Sequence, residues 1–410
     1  MRYRYRNDEE LKDSGVEWIG KIPKDWSLIK LKYISHLKSG EYISKDEYDD
    51  NGKYNIYGSN GVIGKSNKIN NVKKNIIIGR VGACGEVNIA TEGWISDNAL
   101  ILDVVSKNYN FNYVVYSLNS MNLKELASGT AQPLITGTQV KNLSLVNLDK
   151  NVQIKIANFL DEKTSQFNLI ISKKEKLIER LEEAKKSLIS EVVTGKVKVV
   201  KTDAGYDLVK RSSNEMKDSG VEWLGEIPKD WKVSKLKWYL RVKSGEFISN
   251  IKKEFGEDAN IPVIGGNGVM GYSNKVNINE KVLAVGRVGA LCGNVHLIDY
   301  NCWITDNSLI IYLNSSEIYL EYLLKVLKVL NLNSLSTSTA QPLITGETIK
   351  TRKFCLPTLR EQKEIINFLD KKILQYESII SKNKVLIKKL KEAKQSLISE
   401  AVTGKIDILD

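Results

Sequence analysis

The sequence predicts an α/β (α+β) fold in which two similar globular domains are separated by two long helices that form an antiparallel coiled coil. Three observations predict this fold. Nearly every motif of the first half returns in the second half, which indicates a duplication. Each copy begins with short apolar segments broken by glycines, which are typical of strands and turns. Each copy ends in a long segment without glycine or proline, with apolar residues at helical spacing.

The duplication is clear from the order of the motifs. DSGVEWIG starts at residue 13 and returns as DSGVEWLG at 218, and GRVGACG at 79 returns as GRVGALCG at 286. TAQPLITG starts at residue 130 and again at 339, so the offset drifts only from 205 to 209. Insertions that small are tolerated in loops and not inside packed elements. We therefore expect two equivalent domains related by a pseudo-twofold axis.

The domain boundaries follow from this repeat. Both globular domains read as β-rich, with glycine-broken strands such as NIIIGRVGACGEVNIA starting at residue 75. We divide the chain into a first globular domain, a first helical region, a linker, a second globular domain and a second helical region, with bounds 1–150, 151–196, 197–217, 218–357 and 358–410.

The helical regions are predicted to run from about 152 to 193 and from about 359 to 402. Thr358 and Glu361 form a capping box in front of the second helix. An apolar stripe in each helix predicts a coiled-coil seam, with members Leu160, Phe167, Ile170, Leu177, Leu181, Ala184 and Leu188, then Leu369, Tyr376, Ile379, Leu386, Leu390, Ala393 and Leu397. The helices can pair with each other, with another protein, or with both.

The composition limits the class of protein. The formal net charge of +12 favours a polyanionic partner, most often nucleic acid. No apolar run approaches the length of a membrane span, and the first ten residues lack the apolar core of a secretion signal, so a cytoplasmic protein is expected. Four cysteines without a CxxC pair and two histidines argue against a zinc site and a disulfide framework, and indicate buried free thiols.

Sequence signatures of catalysis are absent. The chain has no GxxxxGK[ST] phosphate loop, no GxSxG elbow and no HExxH helix. It also lacks the Asn-Pro-Pro-aromatic and Asp-Pro-Pro-aromatic motifs of amino-methyltransferases. GRVGACG lacks a dinucleotide-binding context and is interpreted as a sharp turn. The sequence therefore predicts a binding and scaffolding protein that could read two patches of a linear polymer such as DNA.

The motifs resemble those of a known family, the specificity subunits of type I restriction-modification systems. The resemblance covers nearly the whole chain and rests on SNGVIGKS, GRVGA, WITDNSL, TAQPLITG, LPTLREQKEIINFLDKK and LISEAVTGK. It implies that each globular domain is a target recognition domain for one half of a bipartite site in double-stranded DNA. It also implies that the helices fix the spacing and dock two methyltransferase subunits and the restriction subunits. The expected S-adenosylmethionine, ATP and Mg would then belong to those partners, with no cofactor, metal or catalysis on this chain and no membrane.

Candidate DNA-contacting residues come from comparing the two copies, because base contacts specify and phosphate contacts position. Residues identical in both copies are candidates for the fold or for phosphate contact, and residues that differ are candidates for base readout. The candidates are Asn60, Lys65, Arg80 and Gln132 in the first copy and Asn267, Tyr272, Arg287 and Gln341 in the second. Asn60 and Asn267 are better explained as turn residues, because Asn-Gly is a common turn pair, and each arginine could equally anchor its own turn.

Partner contacts are predicted on the helices, at Leu160, Leu177, Leu181 and Leu188 and at Leu369, Leu386, Leu390 and Leu397. TAQPLITG, which lies between each domain and its helix, is predicted to orient one upon the other. Two alternatives stay open: a coiled-coil scaffold whose domains bind protein, and an enzyme with a fused methyltransferase or nuclease activity. Salt-dependent binding to duplex DNA distinguishes the first alternative from DNA recognition, because phosphate contacts release counterions.

Overall fold

The structure is a computed structural model that describes residues 2–127, 133–203, 205–289, 291–335 and 343–409. The chain forms two compact units: unit 1 comprises Met1–Glu175 with Lys384–Asp410, and unit 2 comprises Lys176–Asn383. The α-helices, in chain order, are α1 (Phe111–Asn119), α2 (Gly137–Lys141), α3 (Lys150–Val193), α4 (Leu320–Val329), α5 (Gly346–Lys350) and α6 (Leu359–Val402).

The strands of the first copy are β1 (Arg2–Tyr5), β2 (Leu11–Asp13), β3 (Lys21–Pro23), β4 (Ser27–Lys30), β5 (Ser35–Ser39), β6 (Tyr54–Gly58), β7 (Gly61–Ser66), β8 (Asn75–Gly79), β9 (Val87–Ala90), β10 (Gly93–Ile95), β11 (Ala99–Val104) and β12 (Ser144–Asn147). Those that follow are β13 (Val197–Thr202), β14 (Gly205–Lys210), β15 (Met216–Asp218), β16 (Glu226–Pro228), β17 (Lys232–Lys235), β18 (Leu240–Ser244), β19 (Ile261–Gly265), β20 (Gly268–Ser273), β21 (Val282–Gly286), β22 (Val295–Ile298), β23 (Trp303–Ile304), β24 (Ser308–Leu313), β25 (Lys353–Leu356) and β26 (Ile406–Leu409).

The globular part of unit 1 is built on two small sheets. An antiparallel four-stranded sheet has the order β5-β11-β8-β9, and a three-stranded sheet has the order β10-β6-β7, with β10 parallel to β6. The five residues of β8 are buried, as expected of a central strand that is covered on both faces. One face of the larger sheet packs on α1 through a core that contains Ile76, Ile78 and Val114.

Unit 2 repeats this architecture in the second globular domain. Its four-stranded sheet has the order β18-β24-β21-β22 and its three-stranded sheet the order β20-β19-β23. β21 is again buried along its whole length, and α4 takes the place of α1. The predicted mixed α and β fold with an internal repeat is confirmed, because equivalent motifs occupy equivalent elements.

Each unit has a two-stranded antiparallel sheet next to the end of a long helix, and the two units form this sheet from different parts of the chain. In unit 2, β13 and β14 form an antiparallel hairpin that follows directly on α3. In unit 1 the equivalent pair is β1 with β26, with Arg2 opposite Leu409 and Tyr5 opposite Ile406. The same two-stranded element is thus made once within a continuous stretch and once from the two ends of the chain.

Each long helix is anchored through a buried tyrosine of a globular domain. The Tyr113 hydroxyl lies 3.1 Å from the Val146 carbonyl oxygen and 3.3 Å from that of Val402, at the end of α6. Tyr322, at the equivalent position, lies 3.1 Å from the Cys355 carbonyl oxygen and 3.2 Å from that of Val193, at the end of α3. Burial raises the pKa of both phenols, so each stays protonated and keeps its hydrogen bond. The C-terminal end of each long helix therefore docks on the globular domain of the other copy.

The two long helices run antiparallel within each unit. In unit 1 the Lys391 Nζ atom lies 3.6 Å from Glu175 Oε1, and Lys394 Nζ donates to Asn168 Oδ1 over 3.1 Å. In unit 2, Lys185 lies 3.9 Å from Glu377. Residue numbers rise along one helix as they fall along the other. The predicted helix bounds and antiparallel coiled coil are confirmed, and the capping box is present, with Thr358 N–H donating to the Glu361 carboxylate over 3.0 Å.

The phase of the predicted seam is partly wrong. Ile170, Leu177 and Ala184 are exposed, as are their equivalents Ile379, Leu386 and Ala393. The buried and half-buried positions step by four and three without a break: Leu160, Thr164, Phe167, Ile171, Lys174, Ile178, Leu181, Lys185, Leu188 and Val192, and the equivalents 209 residues on. Ile171 and Ile178 are as apolar as the chosen Ile170 and Leu177, so residue type did not distinguish the two stripes. Only the choice of Ala184 over Lys185 followed from residue type, and a lysine stem can line a seam while its ammonium group reaches water.

A fully buried glutamine joins each long helix to its domain. The Gln362 side chain accepts from the Tyr319 N–H over 2.9 Å and donates to the carbonyl oxygens of Glu317 and Pro357. Gln153 makes the equivalent three bonds in unit 1. The start of α6 and the loop before α4 are thereby held by the Gln362 side chain, which satisfies one buried and two partly buried backbone groups.

We expect Gln362→Leu to destabilise unit 2 by about 3 kcal/mol, because one buried and two partly buried backbone groups lose their partner, and a buried group left unpaired costs roughly 1–3 kcal/mol. The measurement is the midpoint of urea unfolding, which should fall without a change in slope. Gln375→Leu is the matched control, since Gln375 is an exposed glutamine on the same helix. Equal midpoints for the two variants would contradict the anchoring role of Gln362.

The cysteines are free and buried, as predicted. Burial raises the pKa of Cys355 to about 12 and that of Cys302 to about 11, which keeps both thiols protonated near neutral pH. Within the described parts of the chain, no group of three or more histidine, cysteine, aspartate or glutamate side chains is arranged to hold a metal ion. Nor does any described helix combine the length and hydropathy needed to cross a bilayer.

Candidate nucleic-acid interface

Several repeated motifs of unit 1 meet at the end of β8. The Arg80 N–H donates to the Asn98 carbonyl oxygen over 2.9 Å, and the Ile135 N–H donates to the Arg80 carbonyl oxygen over 3.1 Å. These bonds join GRVG to the SDNA turn and to the end of TAQPLITG. The Gly40 N–H donates to Ala99, which brings the SGEY segment to the same edge of the sheet. We call the cluster of 39–42, 59–60, 79–80, 96–99 and 134–135 the arginine edge of unit 1.

Unit 2 builds the same arginine edge from 244–247, 266–267, 286–287, 305–308 and 343–344. The Arg287 N–H donates to Asn307 and the Ile344 N–H to Arg287, both over 2.9 Å. The glycine-rich stretch after each arginine is a turn, with positive φ at Gly82 and Gly85 and at Gly289 and Gly293, as predicted. In both units the described part of TAQPLITG therefore binds the GRVG turn of its own domain, whereas the sequence predicted that it orients the domain on its helix.

The arginine side chains have an unsatisfied polar atom at the same place in both units. The Nε atoms of Arg80 and Arg287 are buried and have no hydrogen-bond partner among the described residues. Arg287 donates from Nη1 to the Ser244 Oγ over 3.2 Å. Buried polar atoms are nearly always paired in folded proteins. Arg211 Nε is a further buried atom without a partner among the described residues, so it is the recurrence at equivalent arginines of both copies that points to a shared ligand. A guanidinium binds a phosphate or a guanine edge through two parallel bonds.

Asn60 and Asn267 lie at the tip of a hairpin beside each arginine. Asn60 is the second residue of the two-residue connection between β6 and β7, where Gly58 pairs with Gly61, so its interpretation as a turn residue is confirmed. Both asparagines are exposed. Asn267 differs in that its Oδ1 accepts from Asn294 Nδ2 over 2.7 Å. The residue of unit 1 that is equivalent to Asn294 is Glu86, whose carboxylate lies 2.8 Å from the Lys124 Nζ atom.

The other candidates are not brought to the arginine edge. Lys65 is exposed on β7 and lies five residues from Asn60, which is about 15 Å along a strand. Tyr272, its equivalent, is half-buried and packs edge-to-face on Phe255 with ring centroids 5.6 Å apart. Gln132 and Gln341 lie outside the described residues. The sequence-based choice missed Ser244 and Asn98, although both stand in repeated motifs that could have identified them.

The helix residues predicted to bind partners divide into three groups by their exposure. Leu160 and Leu369 are fully buried in the cores of their own units, so we remove them from the predicted contact surface. Leu181, Leu188, Leu390 and Leu397 are half-buried on the seam. Leu177 and Leu386 are 38% and 40% exposed and stay available to a partner.

Fold and site together define a class: a duplicated protein with a long antiparallel helix pair and one matched arginine-bearing surface in each of two equivalent domains. A family model described as "Type I restriction modification DNA specificity domain" matches residues 23–180 and again 228–389. The chain belongs to this family. It is accordingly a specificity component of a restriction-modification system and not its catalytic component.

Individual relatives agree with this assignment. The chain is 25% identical to the type I restriction enzyme MjaVIII specificity subunit of Methanocaldococcus jannaschii, with 95% of this chain and 94% of the relative covered. It is 29% identical to the EcoprrI specificity subunit of Escherichia coli over about a third of each chain, 32% and 33%. A solved chain from work on complex assembly and conformational transition of the type I R-M system superposes with a TM-score of 0.68 at 14% identity, covering 94% of this chain and 99% of that one, which supports the fold.

Proposed function

We propose that this chain is the DNA-sequence-recognition subunit of a type I restriction-modification complex, in which each globular domain reads one half of a bipartite site in double-stranded DNA. The observation that carries the proposal is the orphan Nε atom of Arg80 and Arg287, repeated at the arginine edge of each unit. Double-stranded DNA, with its regularly spaced phosphates, can offer an anionic acceptor to the arginine of each unit. The net charge of +12 favours the same ligand, because phosphate contacts dominate the affinity for DNA. The chain would act in the cytoplasm, with the DNA that it reads.

The decisive experiment is base-modification sequencing of the source genome with and without the gene for this chain. Loss of a single bipartite methyladenine motif on deletion is the expected result. A direct test accompanies it, in which the full chain selects duplexes from a pool of randomised 40-bp DNA. Enrichment of two short motifs at a fixed separation is expected, and a pool that stays random together with an unchanged methylome would overturn the proposal.

The proposal includes the docking of two methyltransferase subunits, and of restriction subunits, on the helices. Each unit carries exposed apolar side chains on its helical segments, Ile170 and Leu386 in unit 1 and Leu177 and Ile379 in unit 2. Exposed apolar groups at equivalent positions suit two copies of one partner, because identical surfaces bind identical ligands. S-adenosylmethionine, ATP and Mg would be bound by those partners.

We expect Leu177→Asp and Leu386→Asp together to weaken binding of the methyltransferase subunit of the same system by about tenfold or more, since a carboxylate would be desolvated in an apolar contact. Native mass spectrometry of the co-expressed proteins would show the loss of two bound subunits per chain. Val209→Asp is the control, because Val209 is 51% exposed on β14 and lies off the helices. Unchanged stoichiometry in the double variant would place the docking surface elsewhere.

A further inference from the structure

Each unit exposes one aromatic side chain at its arginine edge. Tyr42 and Phe247 are 73% and 76% exposed, and they occupy the same position in the repeated motifs SGEYIS and SGEFIS. A single exposed apolar residue needs no explanation. Retention in both copies does not by itself distinguish Tyr42 and Phe247, because Tyr33 and Trp238 are also an exposed aromatic pair at equivalent positions. What distinguishes Tyr42 and Phe247 is that they belong to the arginine edge, where a shared ligand would meet them.

The backbone that carries the ring is held rigidly. The Glu41 N–H donates to the Ile95 carbonyl oxygen, and Trp94 Nε1 donates to the Glu41 carbonyl oxygen, both over 3.0 Å. In unit 2 the Glu246 N–H donates to the Ile304 carbonyl oxygen over 3.0 Å, and Trp303 Nε1 donates to the Glu246 carbonyl oxygen over 2.9 Å. The residue immediately before each aromatic is thus fixed on both sides. A ring presented from a fixed backbone loses little conformational entropy on binding.

The surroundings of the ring are suited to nucleic acid. Arg287 donates to Ser244, three residues before Phe247, and the hairpin tip with Asn267 belongs to the same arginine edge. Gly245 fixes this approach, since a Cβ there would lie 2.2 Å from the Thr305 carbonyl oxygen. An arginine and an exposed ring on one edge of the domain suit the phosphate and base groups of a DNA strand. Aromatic rings stack on base faces, and apolar side chains inserted between base steps kink the duplex.

We propose that Tyr42 and Phe247 are base-contacting residues, each of which stacks on, or inserts beside, a base of the DNA bound at the arginine edge of its own unit. This inference rests on the proposed function and adds a contact that carries no charge. It makes part of the recognition energy independent of salt. It also adds a readout of how easily a base step unstacks, which depends on sequence.

The test uses the full chain and a duplex that it has selected from the randomised 40-bp pool. We expect Tyr42→Ala with Phe247→Ala to weaken binding roughly 5- to 150-fold per ring, the range found for loss of one aromatic–base stack. The slope of the logarithm of the binding constant against the logarithm of salt concentration should stay that of the parent, because no cation is removed. The exchange Tyr42→Phe with Phe247→Tyr keeps both rings and should retain binding.

The matched control is Tyr33→Ala with Trp238→Ala. These rings are 68% and 66% exposed and belong to the turns before β5 and β18, about 15 Å along the strand from the arginine edge. Their removal should leave DNA affinity unchanged, and thermal melting of every variant checks the fold.

Three outcomes would overturn the inference. Parental affinity in the Tyr42→Ala, Phe247→Ala variant overturns it and leaves the proposed function intact. A loss of affinity that comes with a smaller salt slope would mean that the arginine contact was disturbed instead. Failure of the parent chain to bind any duplex removes the proposed function and this inference with it.

Discussion

Replacing Arg80 and Arg287 together by alanine is expected to lower the affinity of the chain for its selected duplex by about two orders of magnitude or more. Each arginine contact to phosphate or guanine is worth roughly 1–3 kcal/mol, and the two lie in separate units, so their effects should add. The slope of binding against salt should also fall, by about one for each arginine that contacts a phosphate. Fluorescence anisotropy over a salt series measures both quantities.

Two further variants sharpen this experiment. Arg360→Ala is the control, because Arg360 is an exposed arginine on α6 that pairs with Glu364 and lies outside the arginine edge. Arg287→Lys keeps the charge and removes the planar fork, so it should retain much of a phosphate contact and lose a guanine contact. Unaltered affinity in the double alanine variant would mean that the two arginines only anchor their own turns.

Gly404→Ala and Gly195→Ala are each expected to destabilise the protein by about 2–5 kcal/mol. These glycines end the long helices with φ of +73° and +77°, a region that costs an alanine roughly 1–2 kcal/mol. A Cβ at Gly404 would lie 2.4 Å from Trp26 Cζ3 and 2.7 Å from the Pro23 ring. At Gly195 the Pro228 ring is 2.5 Å away. Rigid rings cannot move aside cheaply, and overpacking adds about 1–3 kcal/mol.

Gly15→Ala separates the two contributions. Gly15 has φ of +72°, and a Cβ at this residue would have no atom within 4 Å, so only the backbone cost applies. The thermal midpoint of Gly404→Ala should therefore fall well below that of Gly15→Ala. If the two variants melt together, the contact between the helix end and Trp26 is not a fixed part of the structure.

The sequence predicted the long-range organisation well. The two helices and the capping box at Thr358 were recognisable because each depends on residues close together in the chain. The duplication was recognisable because each short motif returns in the same order. The phase of the coiled-coil seam was harder to predict. Ile171 and Ile178 line the seam with Lys174 and Lys185, whereas the equally apolar neighbours Ile170 and Leu177 are exposed. Which side of a helix is buried is decided by what packs on it.

The candidate site was likewise predicted only in part from the sequence. The repeat alone drew attention to Arg80, Arg287, Asn60 and Asn267, and the structure brings these residues together in equivalent pairs. It does not bring Lys65 or Tyr272 to the same edge, because they stand at the far end of their hairpins. Equivalent sequence position identifies what the copies share, whereas distance between separate motifs is set only when the strands assemble.

What the sequence by itself determined is therefore the repeated unit, its helices, its turns and its family, since local spacing and motif order encode them. Only the tertiary structure decided that each long helix ends on the domain of the other copy, through Val402 at Tyr113 and Val193 at Tyr322. It also decided that the Nε atoms of Arg80 and Arg287 are buried without a partner among the described residues, and that Tyr42 and Phe247 are exposed. These features depend on contacts between residues up to 289 positions apart, which no local pattern records.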